Sequence, residues 1–226
     1  MAQHHFPDPR EATPEGIVAV GGRPEPELLE EAYARGIFPW PVEGHPLLWF
    51  SPPERGVLFF DELHVPRSLA RERRRTRLTF TIDRAFERVV RACRAVVRAH
   101  EKGTWITPEM VRGYCEFHRR GHAHSVEAWE GDELVGGLYG VDADGAFSGE
   151  SMFYRRANAS KLALLFLVEH LRGRGLGWVD VQQLTPHMRA LGAREVGRET
   201  FLGMLAATRR RGLKLFPQQA RMKDEG

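Results

Sequence analysis

Glu127, Glu150, Asp180 and Gln182 stand inside segments that otherwise read as buried strands. Leaving such groups unpaired in an interior costs roughly 1–3 kcal/mol each, so a sheet that carries several of them has a use for them. The sequence therefore points to a site built on the sheet itself. The order of the surrounding elements restricts the fold further. Residues 123–129, 134–139 and 146–151 read as consecutive strands joined by turns at Gly131-Asp132 and Asp144-Gly145. A helix over residues 159–172 follows, apolar at Leu162, Leu165, Phe166 and Val168, and Gly173 and Gly175 stop it. Residues 178–182 form the next strand. A meander, a helix and a further strand predict an α/β (α+β) core with a mixed sheet.

Upstream, residues 56–60 read as a strand and a helix begins near Arg67. Residues 78–82 alternate as a strand, and Asp83 is expected to cap a helix running to about Ala99. Thr107-Pro108-Glu109 opens another helix that ends near Gly121. Residues 1–55 are rich in Pro and Gly, with one short helix from Glu27 to Arg35 between Pro26 and Gly36. Their aromatic residues, Phe38, Trp40, Trp49 and Phe50, need a surface to pack on. The expected organisation is thus a small N-terminal domain, 1–55, leaning on a larger domain, 56–226.

Composition excludes some classes. Over 226 residues, 42% hydrophobic and 28% charged content suit an ordinary globular protein, and no apolar run approaches the ~20 residues that span a bilayer. Residues 1–16 lack the apolar core of a signal peptide. Cys93 and Cys115 fit no disulfide or metal framework and read as reduced thiols in a cytoplasmic protein. The formal net charge is only +3, but residues 67–77 hold six arginines and one glutamate. Such a cluster is either a solvated helix face or a grip on a polyanion.

Several motifs carry less than their patterns suggest. Arg172-Gly173-Arg174-Gly175-Leu176-Gly177 fits the R-x-x-G-x-G pattern of a coenzyme A pyrophosphate loop, yet it follows a helix and precedes a strand, so it reads as a C-cap and turn. His118, His122 and His124 lack a patterned carboxylate or cysteine partner. No metal site is expected there, and His124 reads as a hydrogen-bonded structural histidine. Ser151, His187 and Asp180 are the residue types of a hydrolytic triad, without a nucleophile elbow around any serine. Asp180 and Gln182, two apart in a strand, are expected to share a face, with the carboxylate accepting from the Gln amide and freeing its carbonyl to orient an amine. The alternative is a buried structural hydrogen bond. Trp40, Trp49, Trp105, Met152 and Phe153 are either core or the lining of a pocket for a bulky apolar side chain.

Taken together, the residues resemble the leucyl/phenylalanyl-tRNA–protein transferase family. The matching blocks are Gly36-Ile37-Phe38-Pro39-Trp40, Leu48-Trp49-Phe50-Ser51-Pro52, Gly103-Thr104-Trp105-Ile106-Thr107 and Gly121-His122-Ala123-His124-Ser125-Val126-Glu127. They continue at residues 134–141 and 149–153, Asn158-Ala159-Ser160-Lys161, Asp180-Val181-Gln182 and Leu191-Gly192-Ala193, so the likeness spans roughly residues 16–202.

The resemblance implies a GNAT-like C-terminal domain and an enzyme without a cofactor. Such an enzyme takes Leu or Phe, and by extension Met, from aminoacyl-tRNA and attaches it to proteins with N-terminal Arg or Lys, marking them for degradation. It assigns Arg67, Arg71, Arg74 and Arg75 to the tRNA and Trp40 and Trp105 to the terminal adenosine and aminoacyl group. Leu138, Phe147, Ser148, Met152 and Leu167 fall at the amino-acid pocket. Asp180 and Gln182 orient the reacting groups, with Glu150 in support. Leu138, Leu167 and Phe50 depart from the Met, Phe and Trp common in the family, which bears on Leu against Phe preference. A monomer is expected. The competing readings are an acetyl-CoA-dependent GNAT acetyltransferase and a non-catalytic tRNA-binding module.

Overall fold

Short extended pieces between prolines and glycines build the N-terminal part. The structure is a computed structural model that describes residues 5–96 and 104–216. Strand β1 (Ile17–Val20) is followed by helix α1 (Pro26–Ala34), β2 (Phe38–Trp40) and β3 (Leu48–Phe50). The strands form an antiparallel sheet in the order β1-β3-β2. Pro26 stands in the first turn of α1 and Gly36, at φ +74°, follows it, as the Pro and Gly positions predict. The small sheet is not legible in the sequence, because its strands, Ile-Val-Ala-Val, Phe-Pro-Trp and Leu-Trp-Phe, are short runs without an alternation.

The second sheet has seven strands in the order β10-β4-β9-β8-β7-β6-β5. In chain order they are β4 (Glu54–Phe59), β5 (Thr79–Ile82), β6 (Ala123–Glu130), β7 (Glu133–Asp142), β8 (Phe147–Tyr154), β9 (Trp178–Gln182) and β10 (Arg194–Gly197). The pairs are antiparallel except β8 with β9, which run parallel across helix α5. The sheet is mixed, as expected. The other helices are α2 (Arg67–Arg75), α3 (Phe86–Arg94), α4 (Pro108–Arg119), α5 (Ala159–Arg172), α6 (Pro186–Ala190) and α7 (Arg198–Arg210). β10, α6 and α7 add to what the sequence predicts.

Helix α5 covers one face of the sheet, and Gly136 lets it lie close. A Cβ on Gly136 would stand 2.5 Å from the Ala159 Cβ. α3 and α4 cover the other face, in one apolar cluster with Leu29, Tyr33, Ile37, Phe38 and Trp49 of the N-terminal part. The small sheet thus shares its core with the large one.

Two expectations need correction. Asp83 does not cap α3: it takes φ +59°, and its carboxylate accepts from the Ser125 N–H at 2.8 Å and meets His124 Nδ1 at 2.7 Å. The carboxylate at the start of α3 is that of Glu127, which accepts from Ala85 N–H and from the hydroxyls of Thr81 and Ser125. Glu127 is therefore a structural residue despite its place in a strand. α3 also ends at Arg94, and Ala99 lies outside the described residues, as does Gly103.

Candidate active site

Two β-bulges place the polar groups. On β8 the pairing with β7 slips between Tyr139–Ser151 and Gly140–Gly149, so Glu150 is the extra residue. On β9 the pairing with β4 slips between Val57–Asp180 and Gly56–Gln182, so Val181 is the extra residue, and Gln182 takes φ +60°. A bulge bends its strand and re-aims side chains. Gly56 accommodates the second one, since a Cβ there would stand 3.1 Å from the Gln183 and Leu184 backbone.

β8 and β9 are joined at Ser148–Asp180. Beyond that point lies a cavity of about 240 Å³. Its apolar walls are Trp40, Trp105, Leu138, Met152, Leu164, Leu167, Val179, Val181 and Met188, and its polar groups include Glu150, Gln182, Thr185 and His187. Trp40 and Trp105 stack on each other at 5.5 Å and 14°. The volume falls below the ~300–1,000 Å³ typical of small-molecule sites and suits one apolar amino-acid side chain.

Glu150 is the centre of a hydrogen-bonded row. Gln182 Nε2 donates to its Oε1 at 2.6 Å and the Tyr114 hydroxyl donates to its Oε2 at 2.9 Å. The Tyr33 and Tyr114 hydroxyls lie 2.6 Å apart. Tyr114 has one proton and gives it to the carboxylate, so Tyr33 donates to Tyr114. Burial pushes the Glu150 carboxyl up to about 7; the two tyrosines and Gln182 pull it down, while the charge of Asp180 pushes the same way as burial. That value is where a general base works best near neutral pH. Replacing Tyr114 by Phe removes a hydrogen bond to the ionised form, so it is expected to move the acid limb of the activity profile to higher pH. A pH–rate series on Tyr114→Phe measures this, and an unmoved limb excludes the assignment.

Asp180 is arranged differently from the expectation. Its carboxylate does not meet the Gln182 amide. It forms a bidentate pair with Arg55, Nε to Oδ1 at 2.8 Å and Nη2 to Oδ2 at 2.7 Å, and accepts from the Ser148 hydroxyl at 2.8 Å and the Gln182 backbone N–H at 2.8 Å. The positive φ at Gln182 and the bulge break the strand alternation, which sends the Gln side chain to Glu150 instead. An ionised carboxylate only accepts, so the amide turns its NH₂ to Glu150 and its carbonyl away. Arg55 and Asp180 are each 1% exposed.

The structure thus gathers Trp40, Trp105, Leu138, Glu150, Met152, Leu167 and Gln182 around one cavity. Asp180 and Ser148 lie behind it, and Phe147, 1% exposed, packs in the core against Phe216. Arg67, Arg71, Arg74 and Arg75 are exposed on α2, which is anchored by Leu69, and among the described residues no ion pair engages them; Arg73 instead pairs with Glu169. The triad types do not assemble, because Asp180 takes Ser148 and Arg55, and among the described residues His187 Nε2 has no hydrogen-bond partner. Residues 172–177 hold the last residue of α5, its C-cap Gly173 and the turn that leads to β9. Ligand atoms of Asp83, His118 and His124 lie within 4.8 Å of one another, so a carboxylate does stand beside the histidines. Both nitrogens of His124 and Nδ1 of His118 are nonetheless engaged by oxygen acceptors, Asp83, Gly121 O and Ala123 O.

A family model described as leucyl/phenylalanyl-tRNA protein transferase matches residues 57–206, and the model of its N-terminal domain matches residues 22–53. The chain belongs to this family. A leucyl/phenylalanyl-tRNA–protein transferase of Desulfatibacillum aliphaticivorans is 49% identical over 203 residues, 90% of this chain and 87% of that protein. One of Anaeromyxobacter sp. (strain K) is 54% identical over 201 residues, 89% of this chain and 86% of its own length. Among solved structures, L-PGS from Bacillus licheniformis aligns with 59% of this chain and 47% of its own at 16% identity and a TM-score of 0.41.

Around this cavity, sequence reasoning missed Arg55, Tyr33 and Tyr114. Arg55 meets its partner 125 positions away, and the two tyrosines meet 81 positions apart. Nothing local signals either contact.

Proposed function

We propose that this member of the family transfers Leu or Phe from aminoacyl-tRNA to the α-amino group of proteins with N-terminal Arg or Lys, marking them for degradation. The observation that carries the reading is the small apolar cavity with Glu150 and Gln182 at its wall. The aminoacyl side chain fills the cavity, and Trp40 and Trp105 separate to take the terminal adenosine. The incoming amine attacks the ester carbonyl carbon, an amide bond forms, and the ester C–O bond breaks. The ribose oxygen leaves with the proton that the amine gives up. Glu150 accepts that proton on its way, and the Gln182 carbonyl orients the amine N–H. Asp180 is a positioning residue that holds the Gln182 backbone. α-Amino groups have a pKa near ~7.7–8.0, so part of the acceptor is already neutral at pH 7.

The exposed arginines of α2 hold tRNA phosphates, a contact that tolerates any sequence. A non-catalytic RNA module has no use for the Glu150–Gln182 pair. Among the described residues no helix is long and apolar enough to cross a membrane, and the exposed large apolar side chains are Val20, Val42 and Tyr154. A cytoplasmic monomer is consistent with both facts.

The test is transfer of radiolabelled Leu and Phe from charged tRNA to one peptide starting with Arg and one with Ala. Transfer to the Arg peptide alone is expected, and no transfer to either sinks the reading. Arg71→Ala with Arg74→Ala is expected to weaken tRNA binding roughly tenfold or more and to lower the salt slope by about 2. An unchanged slope in a binding titration removes α2 from the tRNA interface.

A further inference from the structure

A second concavity adjoins the first. A groove of about 810 Å³ shares Met152 and His187 with the apolar cavity and continues past Arg155, Asn158, Ser160 and Lys161. The block Asn158-Ala159-Ser160-Lys161 lies here, and nothing in the transfer chemistry described above uses it. Asn158 takes φ +62° and precedes α5 without giving it a side-chain cap; its amide reaches Glu72 on the arginine-rich helix α2 instead. The Ala159 N–H is taken by Arg156 O and the Leu162 N–H by Asn158 O. Among the described residues no acceptor meets the N–H groups of Ser160 and Lys161.

A helix start alone does not make a site. The Ser160 hydroxyl adds an independent observation. Ser160 is 4% exposed, lines the groove, and among the described residues its side chain has no hydrogen-bond partner. A hydroxyl without a partner, on a buried residue that lines a groove carrying cations, is a donor awaiting an acceptor. Lys161 supplies a charge that no ion pair among the described residues neutralises, and Arg155 is a second cation on the groove. Burial and the nearby Lys161 charge hold the ring of His187 below its ordinary range. Two backbone N–H groups, a hydroxyl and an ammonium around one helix start match an oxyanion with several acceptor oxygens.

We infer that the Asn158–Lys161 turn is a phosphate site that holds the phosphodiester on the 5′ side of the donor's terminal adenosine. The inference rests on the cavity being the aminoacyl-adenosine site. Its physical content is that the groove adjoins that cavity and is lined by Asn158, whose amide is tied to Glu72 of α2. One seated phosphate fixes the end of the RNA strand, so the ester reaches Glu150 and Gln182 in register.

The experiment compares three donors: intact Phe-tRNA, the dinucleotide Phe-CpA, and the same dinucleotide with a neutral methylphosphonate linkage. With the unaltered protein, Phe-CpA is expected to exceed the neutral analogue about tenfold or more in kcat/KM. Ser160→Ala and Lys161→Gln are expected to bring the two dinucleotides to within about twofold, and Lys161→Arg to restore most of the gap. Equal use of the two dinucleotides by the unaltered protein overturns the phosphate site and leaves the transferase reading intact. A gap that survives both substitutions while both rates fall makes Ser160 and Lys161 structural and also overturns it. No transfer from intact Phe-tRNA overturns the transferase reading, and the phosphate site with it.

Discussion

Glu150→Gln is expected to lower kcat/KM by about 10²–10⁴ and to erase the acid limb of the pH–rate profile near pH 7. The limb set by the acceptor amine should remain, because that group belongs to the substrate. A second consequence concerns stability. In the fold the carboxyl sits near 7 and in the unfolded chain near its ordinary value of 4.5. Between these values the folded state binds more protons, so stability falls as pH rises through this window and the loss is complete above it. Glutamine does not ionise and escapes that loss. The variant is therefore expected to be more stable than the parent at pH 8, by on the order of 3 kcal/mol at most, and to lose this advantage below pH 4.5. A variant that is less active yet melts higher at alkaline pH separates a working group from a structural one. Full activity in Glu150→Gln, or an acid limb that persists, removes Glu150 from the chemistry. Melting curves at pH 5 and pH 8 supply the other half of the test.

Arg55→Ala is expected to destabilise the protein by about 3–5 kcal/mol, because it leaves the Asp180 carboxylate buried without its counter-charge. For a chain of this size that is a fall in Tm of roughly 10 °C. The guanidinium touches four parts of the molecule. It pairs with Asp180 on β9, donates to the Gly36 carbonyl at 3.1 Å, and lies 4.5 Å from the ring centroids of both Phe38 and Phe201. Its loss loosens β2 and α7 together with the strand that carries Gln182. Arg55→Lys should rescue little, since an ammonium cannot make the two parallel bonds or lie flat between two rings. Urea denaturation at constant pH measures the effect; a change under 1 kcal/mol means the pair is not what holds these elements together. Asp180→Asn is expected to lower kcat as well, through the backbone of Gln182.

The fold was legible where the pattern is long. The eight to ten residues of β6, β7 and β8, with glycine turns between them, announce a meander, and α5 shows its start, its apolar stripe and its glycine stop over fourteen residues. Short pieces were not legible. β1, β2, β3 and β10 have three or four residues each, α6 has five, and none of them shows a period; β5 is as short, but its alternation with Leu78 marks it. Asp83 illustrates a different failure. Its type and place before a helix match a cap, yet a positive φ and the neighbouring strand give its carboxylate to Ser125 and His124, while Glu127, 42 positions from Ala85, reaches the helix start.

At the site, the residue types were visible and their partners were not. Glu150 and Gln182 stand out as polar residues in apolar strands, and the aromatic and aliphatic walls follow from the same blocks. What the chain determines by itself is that a mixed sheet carries buried carboxylate and amide groups beside bulky apolar side chains, since burial of such groups is costly enough to mark them. Which carboxylate faces the cavity was decided only in three dimensions. One extra residue in β8 aims Glu150 at the cavity, another in β9 with Gln182 at φ +60° turns the amide toward it, and Arg55 from β4, adjacent in the sheet but far away in sequence, withdraws Asp180 behind it. A bulge shifts the strand alternation by one position, and an ion pair closed across 125 residues depends on how the sheet is assembled, so neither is encoded in local spacing.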